Sequence, residues 1–393
     1  MRTAFWVSAG WIAFAYAGFP MLVFFRGLTR HRPLAQGGAL PSITVIVPAY
    51  NESGIILEKL ENTLALEYPR ELVDVVVASD GSTDGTNELV EAFGHGIRLL
   101  PLPRSGKNRA LTSAGEAATG EILVFTDADT KLTGETLLHV AAAFADPEVG
   151  GVAGERRHGS QGSRPPISAR AKRWLREMLS RAGSVTSAEG QIYAVRRELF
   201  EPVPDNVPDD FWISTRVVSR HRRLVYEPNA ASYPFAGATV VRDPFERKVR
   251  MTGPLFRAVW LGRDLLNPAA HGFYSVQLLA HKLLRRLVFV PVVGLALTAP
   301  ALSRNGRAYR TVALCEGLLH GAALGAYLLR DRRFGRRGPL KAALRFEESC
   351  AASAVALAAQ ILGRRPRDDT WEPQRANPNL DVRREAGRHD RPA

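Results

Sequence analysis

The sequence predicts an α/β domain with a mainly parallel β-sheet, joined to transmembrane helices near the N- and C-termini. Three observations predict it. Short β-branched runs alternate with helical patterns, acidic and turn-forming residues follow those runs, and uncharged apolar segments lie towards both ends of the 393 residues. Alternating strands and helices are typical of right-handed βαβ units, which build one parallel sheet.

The first element is an uncharged segment at residues 3–25 that is rich in aromatic side chains. A membrane-spanning helix needs about 20 apolar residues. A cleaved signal peptide is the alternative, but its apolar region is shorter and a small-residue cleavage site follows it. Here Arg26, Arg30 and Arg32 follow. The pattern therefore predicts an uncleaved anchor whose C-terminal side faces the cytoplasm.

Three apolar runs, each followed by polar residues, predict the centre of the sheet. The runs are residues 42–47, 73–79 and 122–126, and the segments after them read Pro48-Ala49-Tyr50-Asn51-Glu52, Asp80-Gly81-Ser82-Thr83-Asp84-Gly85 and Asp127-Ala128-Asp129. Helical patterns are predicted at about 52–66, 86–93 and 107–118. Ligands of open α/β sheets bind at the carboxyl ends of the strands. The sequence therefore predicts a nucleotide site at this edge.

The carboxylates of Asp127 and Asp129 are separated by one small residue. Both can face one hard divalent cation and the diphosphate that it neutralises. Taken alone, such a pair is more often a turn or a helix cap. Its position after a strand, in series with the other two segments, favours the metal interpretation.

The ordered set, with Lys107-Asn108-Arg109-Ala110-Leu111 before the third run, resembles the family 2 inverting glycosyltransferases, in the membrane-bound branch related to polysaccharide synthases. The resemblance covers about residues 40–250. It implies a GT-A nucleotide-diphospho-sugar-binding fold. It also implies a hexosyltransferase that uses a nucleotide sugar, expected to be UDP-linked, and Mg²⁺ or Mn²⁺ as cofactor.

The same resemblance assigns the donor site. The residues expected to bind the nucleotide sugar are Pro48, Tyr50, Glu52, Asp80, Lys107 and Asp127. Asp129 is the stronger candidate for direct metal coordination, whereas Asp127 contacts the ribose or the metal. Three alternatives stay open: an Asx-turn at Asp80, a first-turn acidic residue at Glu52 and a solvated lysine at Lys107.

The acceptor side is expected farther along the chain. Asp209-Asp210-Phe211 resembles the acidic catalytic pair of the membrane-bound branch. We take Asp210 as the general base and Asp209 as the less favoured candidate, with helix N-capping as the alternative for Asp210. An ionised aspartate is a weak base near pH 7, so burial would have to raise its pKa.

Two further segments complete the expected site. Gly190 precedes a strand-like run and would either admit an acceptor close to the backbone or form a β-bulge. Arg247 and Arg250 share a helix face and could clamp the diphosphate, the alternative being a basic helix on the membrane surface. Met251 stands where processive relatives carry tryptophan. This difference favours a single-addition enzyme over a processive exopolysaccharide synthase.

The C-terminal third predicts further membrane helices. Residues 287–302 and 312–329 are predicted to span the membrane, and residues 342–362 are expected to form a tilted or interfacial helix. A cationic loop after the second span is expected in the cytoplasm. The predicted organisation is an anchor at 3–25, a GT-A domain at 40–240, amphipathic or interfacial helices at 241–286, membrane helices at 287–362 and a basic, disordered tail at 363–393.

The formal net charge of +13 would fit a nucleic-acid partner. Much of the excess flanks apolar segments, where anionic headgroups attract cations, so we expect a membrane and no nucleic acid. The leading hypothesis is transfer of a sugar to a lipid-linked or polysaccharide acceptor on the cytoplasmic face of a bacterial-type plasma membrane. A nucleotidyltransferase and a catalytically silent membrane scaffold are the alternatives from other classes.

Overall fold

A computed structural model of the chain describes residues 1–29, 39–157, 165–235, 244–329 and 338–363. Several predicted features lie partly or wholly outside these ranges. They are Arg30 and Arg32, the cationic residues 330–337 after the second predicted span, and the tail from residue 364 onward.

One mixed sheet of eight strands forms the centre of the domain, with the spatial order β3-β2-β1-β4-β7-β6-β8-β5. The strands are β1 (Ile43–Ala49), β2 (Val73–Asp80), β3 (Ile97–Leu102), β4 (Ile122–Phe125), β5 (Thr130–Leu132), β6 (Val149–Arg156), β7 (Tyr193–Arg196) and β8 (Arg223–Pro234). Strands β1 to β4 pair in parallel, whereas β7 is antiparallel to both β4 and β6. The mainly parallel α/β fold is confirmed.

The helices cover both faces of this sheet and extend beyond it. They are α1 (Arg2–Ala13), α2 (Phe19–Thr29), α3 (Ile56–Leu64), α4 (Thr86–Phe93), α5 (Lys107–Ala117), α6 (Thr136–Phe144), α7 (Ile167–Arg181), α8 (Asp209–Ser219), α9 (Pro244–Leu261), α10 (Pro268–His271), α11 (Phe273–Gln277), α12 (Phe289–Leu302), α13 (Arg307–Leu328) and α14 (Gly338–Ile361). The predicted helix at 52–66 is shorter than expected, because the segment after Glu52 forms turns before α3 begins.

The side chains of β1 alternate between two apolar cores. Val45 and Val47 pack on the face that α3 and α6 cover, whereas Ile46 packs on the opposite face with residues of α5 and α8. Successive side chains of a strand point to opposite faces, so a strand buried on both sides becomes apolar throughout. This is the reason that continuous apolar runs in the sequence predicted β1, β2 and β4.

The N-terminal apolar segment is helical from Arg2 to Thr29, with one π-helical turn at Phe14–Gly18, and is long and apolar enough to span a membrane. Helix α13 meets the same criterion. At residues 287–302 the structure differs from the single span that the sequence predicts. Helix α12 is too short alone and forms a bent pair with the preceding helical segment, Phe273–Leu284 and Phe289–Asn305, at 64°. The described residues thus contain two candidate spans, or three if the bent pair is one.

Helix α14, the predicted tilted or interfacial segment, is not one of the candidate spans. It packs against α9 and α13. Large apolar side chains on the candidate spans are exposed, among them Trp6, Phe25, Leu318 and Leu328. Exposed apolar surface of this extent is typical of contact with lipid.

Candidate active site

The loops after β1 and β2 hold each other through side-chain to backbone hydrogen bonds. Asn51 Oδ1 accepts from the Thr83 N–H at 2.8 Å, and the Asn51 N–H donates to Ser82 Oγ at 3.1 Å. Asp84 accepts from the Ser53 N–H at 2.9 Å. Asn51 adopts a φ of 53°, a conformation that asparagine tolerates better than most residues. The strand ends are therefore fixed relative to each other before any ligand binds.

Asp80 ends β2 with a fully buried carboxylate. It accepts hydrogen bonds from the backbone N–H groups of Ser105, at 2.6 Å, and Gly106, at 3.0 Å, and it pairs with the Arg104 guanidinium. The Asx-turn proposed as an alternative is not what holds this side chain. The carboxylate instead fixes the loop that leads into α5.

Arg104 was not predicted from the sequence, and it connects two residues that were. Its guanidinium carbon lies 3.5 Å from the centroid of the Tyr50 ring while the same group pairs with Asp80. The ring face attracts the cation, and we call this stacked pair the Tyr50–Arg104 platform. Pro48 is buried at the end of β1, and the Glu52 backbone N–H donates to Thr86 Oγ1 at 2.9 Å. Together these residues lie at the carboxyl ends of β1, β2 and β3 and in the loops that follow them.

Lys107, the first residue of α5, lies between the two acidic segments. Its Nζ is 2.9 Å from Asp127 Oδ1 and 3.3 Å from Asp209 Oδ1. Burial alone would lower the pKa of Lys107, but the two carboxylates outweigh it and raise that pKa. Burial also raises the pKa of Asp127, which Lys107 partly offsets. Lys107 is therefore not the solvated lysine considered as the alternative from the sequence. Its ammonium bridges the carboxylates of Asp127 and Asp209.

Asp209 and Asp210 begin α8 and differ in their surroundings. Asp209 Oδ2 accepts from the Tyr193 hydroxyl at 3.0 Å, in addition to its contact with Lys107. Asp210 accepts at Oδ1 from the Phe211 N–H at 2.7 Å. Burial, reinforced by Asp209, raises the pKa of Asp210 to about 7. A carboxylate with such a pKa can exchange a proton near neutral pH.

Gly190 lies in a turn before β7, so the β-bulge considered from the sequence is not formed. A Cβ atom built on it would lie 3.8 Å from Asp210 Oδ2 and 4.0 Å from Asp127 Oδ2. Any larger residue at this position would enter the space between those carboxylates. The absence of a side chain therefore keeps that space open.

Asp127 and Asp129 offer hard carboxylate oxygens for a divalent cation. Asp129 is half-buried, and within the described ranges its Oδ1 accepts a long hydrogen bond of 3.3 Å from Thr130 Oγ1. Within the described ranges, no three His, Cys, Asp or Glu side chains group as metal ligands. A site with two protein carboxylates suits Mg²⁺ or Mn²⁺ when substrate phosphates and water supply the other ligands. The donor set fits a cation that arrives with a diphosphate.

Two lysines near these carboxylates, Lys59, which is buried, and Lys282, which is half-buried, were missed in the sequence. Lys59 is fully buried on α3, and Lys282 donates to Ser187 Oγ at 2.6 Å while its charge acts on Asp210. A lysine on the apolar face of an amphipathic helix was the available signal for Lys59, which follows Ile56 and precedes Leu60 and Thr63 on that face. Lys282 gave no such signal, because it comes near Ser187 only through the fold.

Arg247 and Arg250 lie on α9, which packs against α8 and α14. Arg247 is exposed and Arg250 is half-buried. The cations that act on the pKa of Asp210 are Lys282 and Lys107. The diphosphate clamp by the two arginines stays a prediction.

Comparisons with known proteins agree with this geometry. The family model described as glycosyl transferase family 2 matches residues 44–220. The chain is 35% identical over 129 residues to beta-monoglucosyldiacylglycerol synthase of Nostoc sp., covering 31% of this chain and 28% of that protein. It is 24% identical over 211 residues to poly-beta-1,6-N-acetyl-D-glucosamine synthase of Staphylococcus epidermidis, covering 50% of this chain and 51% of that protein. The chain thus aligns with about a quarter and a half of the lengths of these relatives.

A solved structure resembles the chain over a larger part of its length. The mannosyltransferase PcManGT from Pyrobaculum calidifontis, in complex with GDP-Man and Mn²⁺, matches with a TM-score of 0.69 and 26% identity, covering 92% of this chain and 99% of that one. Residues 44–220 therefore correspond to a glycosyl transferase family 2 domain with the GT-A fold.

Proposed function

We propose that the protein transfers one sugar, with inversion, from a nucleotide-diphospho-sugar to a lipid-linked or glycan acceptor at a membrane surface. The observation that carries the proposal is the meeting of two carboxylates beside Gly190. A Cβ atom built on Gly190 would lie 4.0 Å from Asp127 Oδ2 and 3.8 Å from Asp210 Oδ2, so two acids from different parts of the chain border the same position. In-line displacement needs a leaving group on one side of the reacting carbon and a base on the other.

The bond changes follow from this arrangement. Asp210 accepts the proton of the acceptor hydroxyl as its oxygen bonds to the anomeric carbon. The bond from that carbon to the diphosphate oxygen breaks, and its electron pair leaves with the diphosphate. Lys107 holds a fixed positive charge beside Asp127, where negative charge develops on the leaving group. Attack opposite to the leaving group inverts the configuration.

A divalent cation held by Asp127 and Asp129 would supply Lewis acidity to the departing diphosphate. The proposal that these aspartates bind Mg²⁺ or Mn²⁺ is supported by the oxygen donor set and by the Mn²⁺ in the PcManGT complex. The resemblance points to a UDP-linked donor, whereas that complex holds GDP-Man. The platform of Tyr50 and Arg104 is the part of this chain that we propose to contact the base.

The acceptor side of the site faces the membrane-associated helices. Lys282, which acts on Asp210, belongs to the helical segment Leu278–Leu284 of the bent pair. His281 of the same segment stacks on Phe19 of α2 at 6.1 Å between ring centroids. An acceptor hydroxyl carried by a lipid would reach Asp210 from this side. We place the catalytic domain in the cytoplasm because Arg26 follows the uncharged segment.

The test measures release of nucleoside diphosphate by the purified full-length protein with Mn²⁺ or Mg²⁺ and native membrane lipids as acceptor source. UDP-, GDP- and dTDP-sugars are compared, and radiolabelled product is sized to separate single addition from polymerisation. Asp210→Asn is the active-site variant. Asp205→Asn is its control, because Asp205 lies nearby and forms an exposed ion pair with Arg109 at 2.8 Å.

We expect release with one class of donor, loss of release on chelation, and a 10²- to 10⁴-fold lower rate in Asp210→Asn, the range typical of a lost general base. Asp205→Asn should retain activity. Equal rates for the two variants would contradict Asp210 as the base. Undiminished turnover after chelation would contradict the metal site.

A further inference from the structure

A cavity of about 240 Å³ lies where the N-terminal candidate span and the first helix of the bent pair pack against the domain. Its cationic and imidazole lining residues are Arg26, His221, Arg222, Arg223 and His271. None of the described residues that line it is acidic. A concave surface with this lining favours an anion.

The position of the cavity is defined by two candidate membrane segments. Arg26 lies in the last turn of α2, at the end of the N-terminal candidate span, and Phe273 begins the bent pair. The Arg26 guanidinium carbon lies 4.5 Å from the centroid of the Phe273 ring. Both residues belong to candidate membrane segments, so we place the cavity near the level of the lipid headgroups.

One of the two histidines gives the cavity a polar atom without a partner. The rings of His221 and His271 stack at 5.2 Å, and His271 Nδ1 is buried without a hydrogen-bond partner among the described residues. A buried polar atom without a partner is unfavourable, and a ligand that pairs with it can recover that cost.

The arginines are not equally available. Arg223 already lies 3.3 Å from the Asp146 carboxylate and donates to the Gly183 carbonyl oxygen. Arg222 donates to the Pro147 carbonyl oxygen at 3.0 Å. This acceptor is neutral, so it does not offset the charge of Arg222. Asp264 acts on the pKa of His271 from outside the lining, together with the opposing charges of His221 and Arg216. The cavity therefore keeps a net positive potential.

From these observations we propose that the cavity binds a phosphate group, separately from the donor diphosphate. Arg26 and Arg222 supply the charge, and His271 supplies an N–H at Nδ1. Two sources share this chemistry, the headgroup of an anionic phospholipid and free inorganic phosphate. The volume accommodates a phosphate with an attached glycerol unit as well as the bare anion.

The cavity shares two elements with the catalytic site. Helix α8 begins at Asp209, beside Lys107, and His221 lies just after its end. Residues 182–184 line the cavity, and the same segment continues to Gly190. Gln277 donates to the Ser184 carbonyl oxygen at 2.9 Å, which ties this segment to the membrane-associated helices. A bound phosphate would thus stabilise the segment from residue 182 to Gly190, which also forms part of the acceptor side of the catalytic site.

The test is binding, so it does not depend on the donor or the acceptor. The full-length protein is reconstituted in nanodiscs of phosphatidylcholine with phosphatidylglycerol, and lipids retained after release into detergent are counted by native mass spectrometry. In parallel, the melting temperature in detergent is measured with inorganic phosphate and with chloride at equal ionic strength. The variants are Arg26→Gln and His271→Gln. Arg220→Gln is the control, because Arg220 is exposed and paired with Glu201 at 2.8 Å.

We expect the wild type and Arg220→Gln to retain phosphatidylglycerol, or to gain thermal stability in phosphate, whereas both cavity variants lose at least tenfold in apparent affinity. Arg26→Lys keeps the charge at the membrane boundary and should restore part of the binding if the variant protein is folded. Retention of lipid alone identifies the headgroup as the source, and stabilisation by phosphate alone identifies the free anion. Absence of both effects in the wild type, or equal effects in all variants, would overturn the proposal.

Discussion

Lys59 Nζ donates a hydrogen bond of 2.9 Å to Thr126 Oγ1, directly before the two aspartates that we propose to bind the metal. The same ammonium donates to the Thr130 carbonyl oxygen at 2.5 Å, directly after them. A single buried cation therefore holds both ends of the turn at Asp127–Asp129. Buried charges are rare unless they are hydrogen-bonded, and here the bonds have a structural role.

The buried ammonium predicts a pH-dependent stability. Burial lowers the pKa of Lys59 to about 7, well below its ordinary value of 10.5, and Asp127 and Asp129 only partly oppose this shift. Between these values the unfolded chain binds more protons than the folded protein, so the free energy of unfolding rises with pH. The slope is at most about 1.4 kcal/mol per pH unit.

Chemical denaturation of the wild type and Lys59→Met at pH 7, 8.5 and 10 measures this contribution as the difference between the two proteins. Lys131→Met is the control, because Lys131 is exposed on β5. The wild type should gain stability relative to Lys59→Met as the pH rises, and Lys131→Met should follow the wild type. Parallel pH dependences for all three proteins would show that folding does not lower the pKa of Lys59.

The raised pKa of Asp210 predicts the pH profile of the reaction. Burial and Asp209 raise that pKa to about 7, and a protonated carboxyl cannot accept the acceptor proton. We expect kcat/KM to fall about tenfold for each pH unit below 7 and to level off above it. Initial rates between pH 5 and 9 at subsaturating donor measure the profile. A profile that stays flat down to pH 5 would rule out this titration.

The bridge from Lys107 to Asp127 and Asp209 predicts a loss of activity in Lys107→Met. The variant leaves two carboxylates without their shared cation, and charged hydrogen bonds of this kind contribute about 1.5–3 kcal/mol. We expect kcat/KM to fall roughly 10- to 100-fold, with partial recovery in Lys107→Arg. Lys131→Met serves again as the control. Full activity in Lys107→Met would remove Lys107 from the mechanism.

Arg104 predicts the contribution of the nucleobase platform. Arg104→Gln removes the cation from the Tyr50 ring and from Asp80, which should weaken binding of the nucleoside diphosphate by about 1–3 kcal/mol, or roughly 5- to 100-fold. Isothermal titration calorimetry measures the affinity. The matched control is Arg98→Gln, because Arg98 forms a half-exposed ion pair with Asp74 on a neighbouring part of β2. Equal affinities of the two variants would place the base elsewhere.

Local sequence patterns specify the central strands, the strand-end motifs and the first candidate membrane span. Residues 122–125 are apolar because β4 is buried on both faces, and Asp127 follows because the strand ends there. Such features depend on neighbouring residues along the chain. The periodicity of the apolar residues, and the polar residues that end each run, are therefore visible in the sequence. The antiparallel position of β7 between β4 and β6 gave no comparable signal, because strand order depends on long-range pairing.

The amino-acid sequence by itself determined the class of domain, the acidic residues of the proposed site and the apolar segments. Only the tertiary structure decided which cations accompany those acids and which space stays open. Lys59 reaches Thr126 across 67 positions, Arg104 reaches Asp80 across 24, and His271 stacks on His221 from a different helix. Electrostatic interactions depend on the distance between groups in the folded structure. The order of residues along the chain does not give that distance.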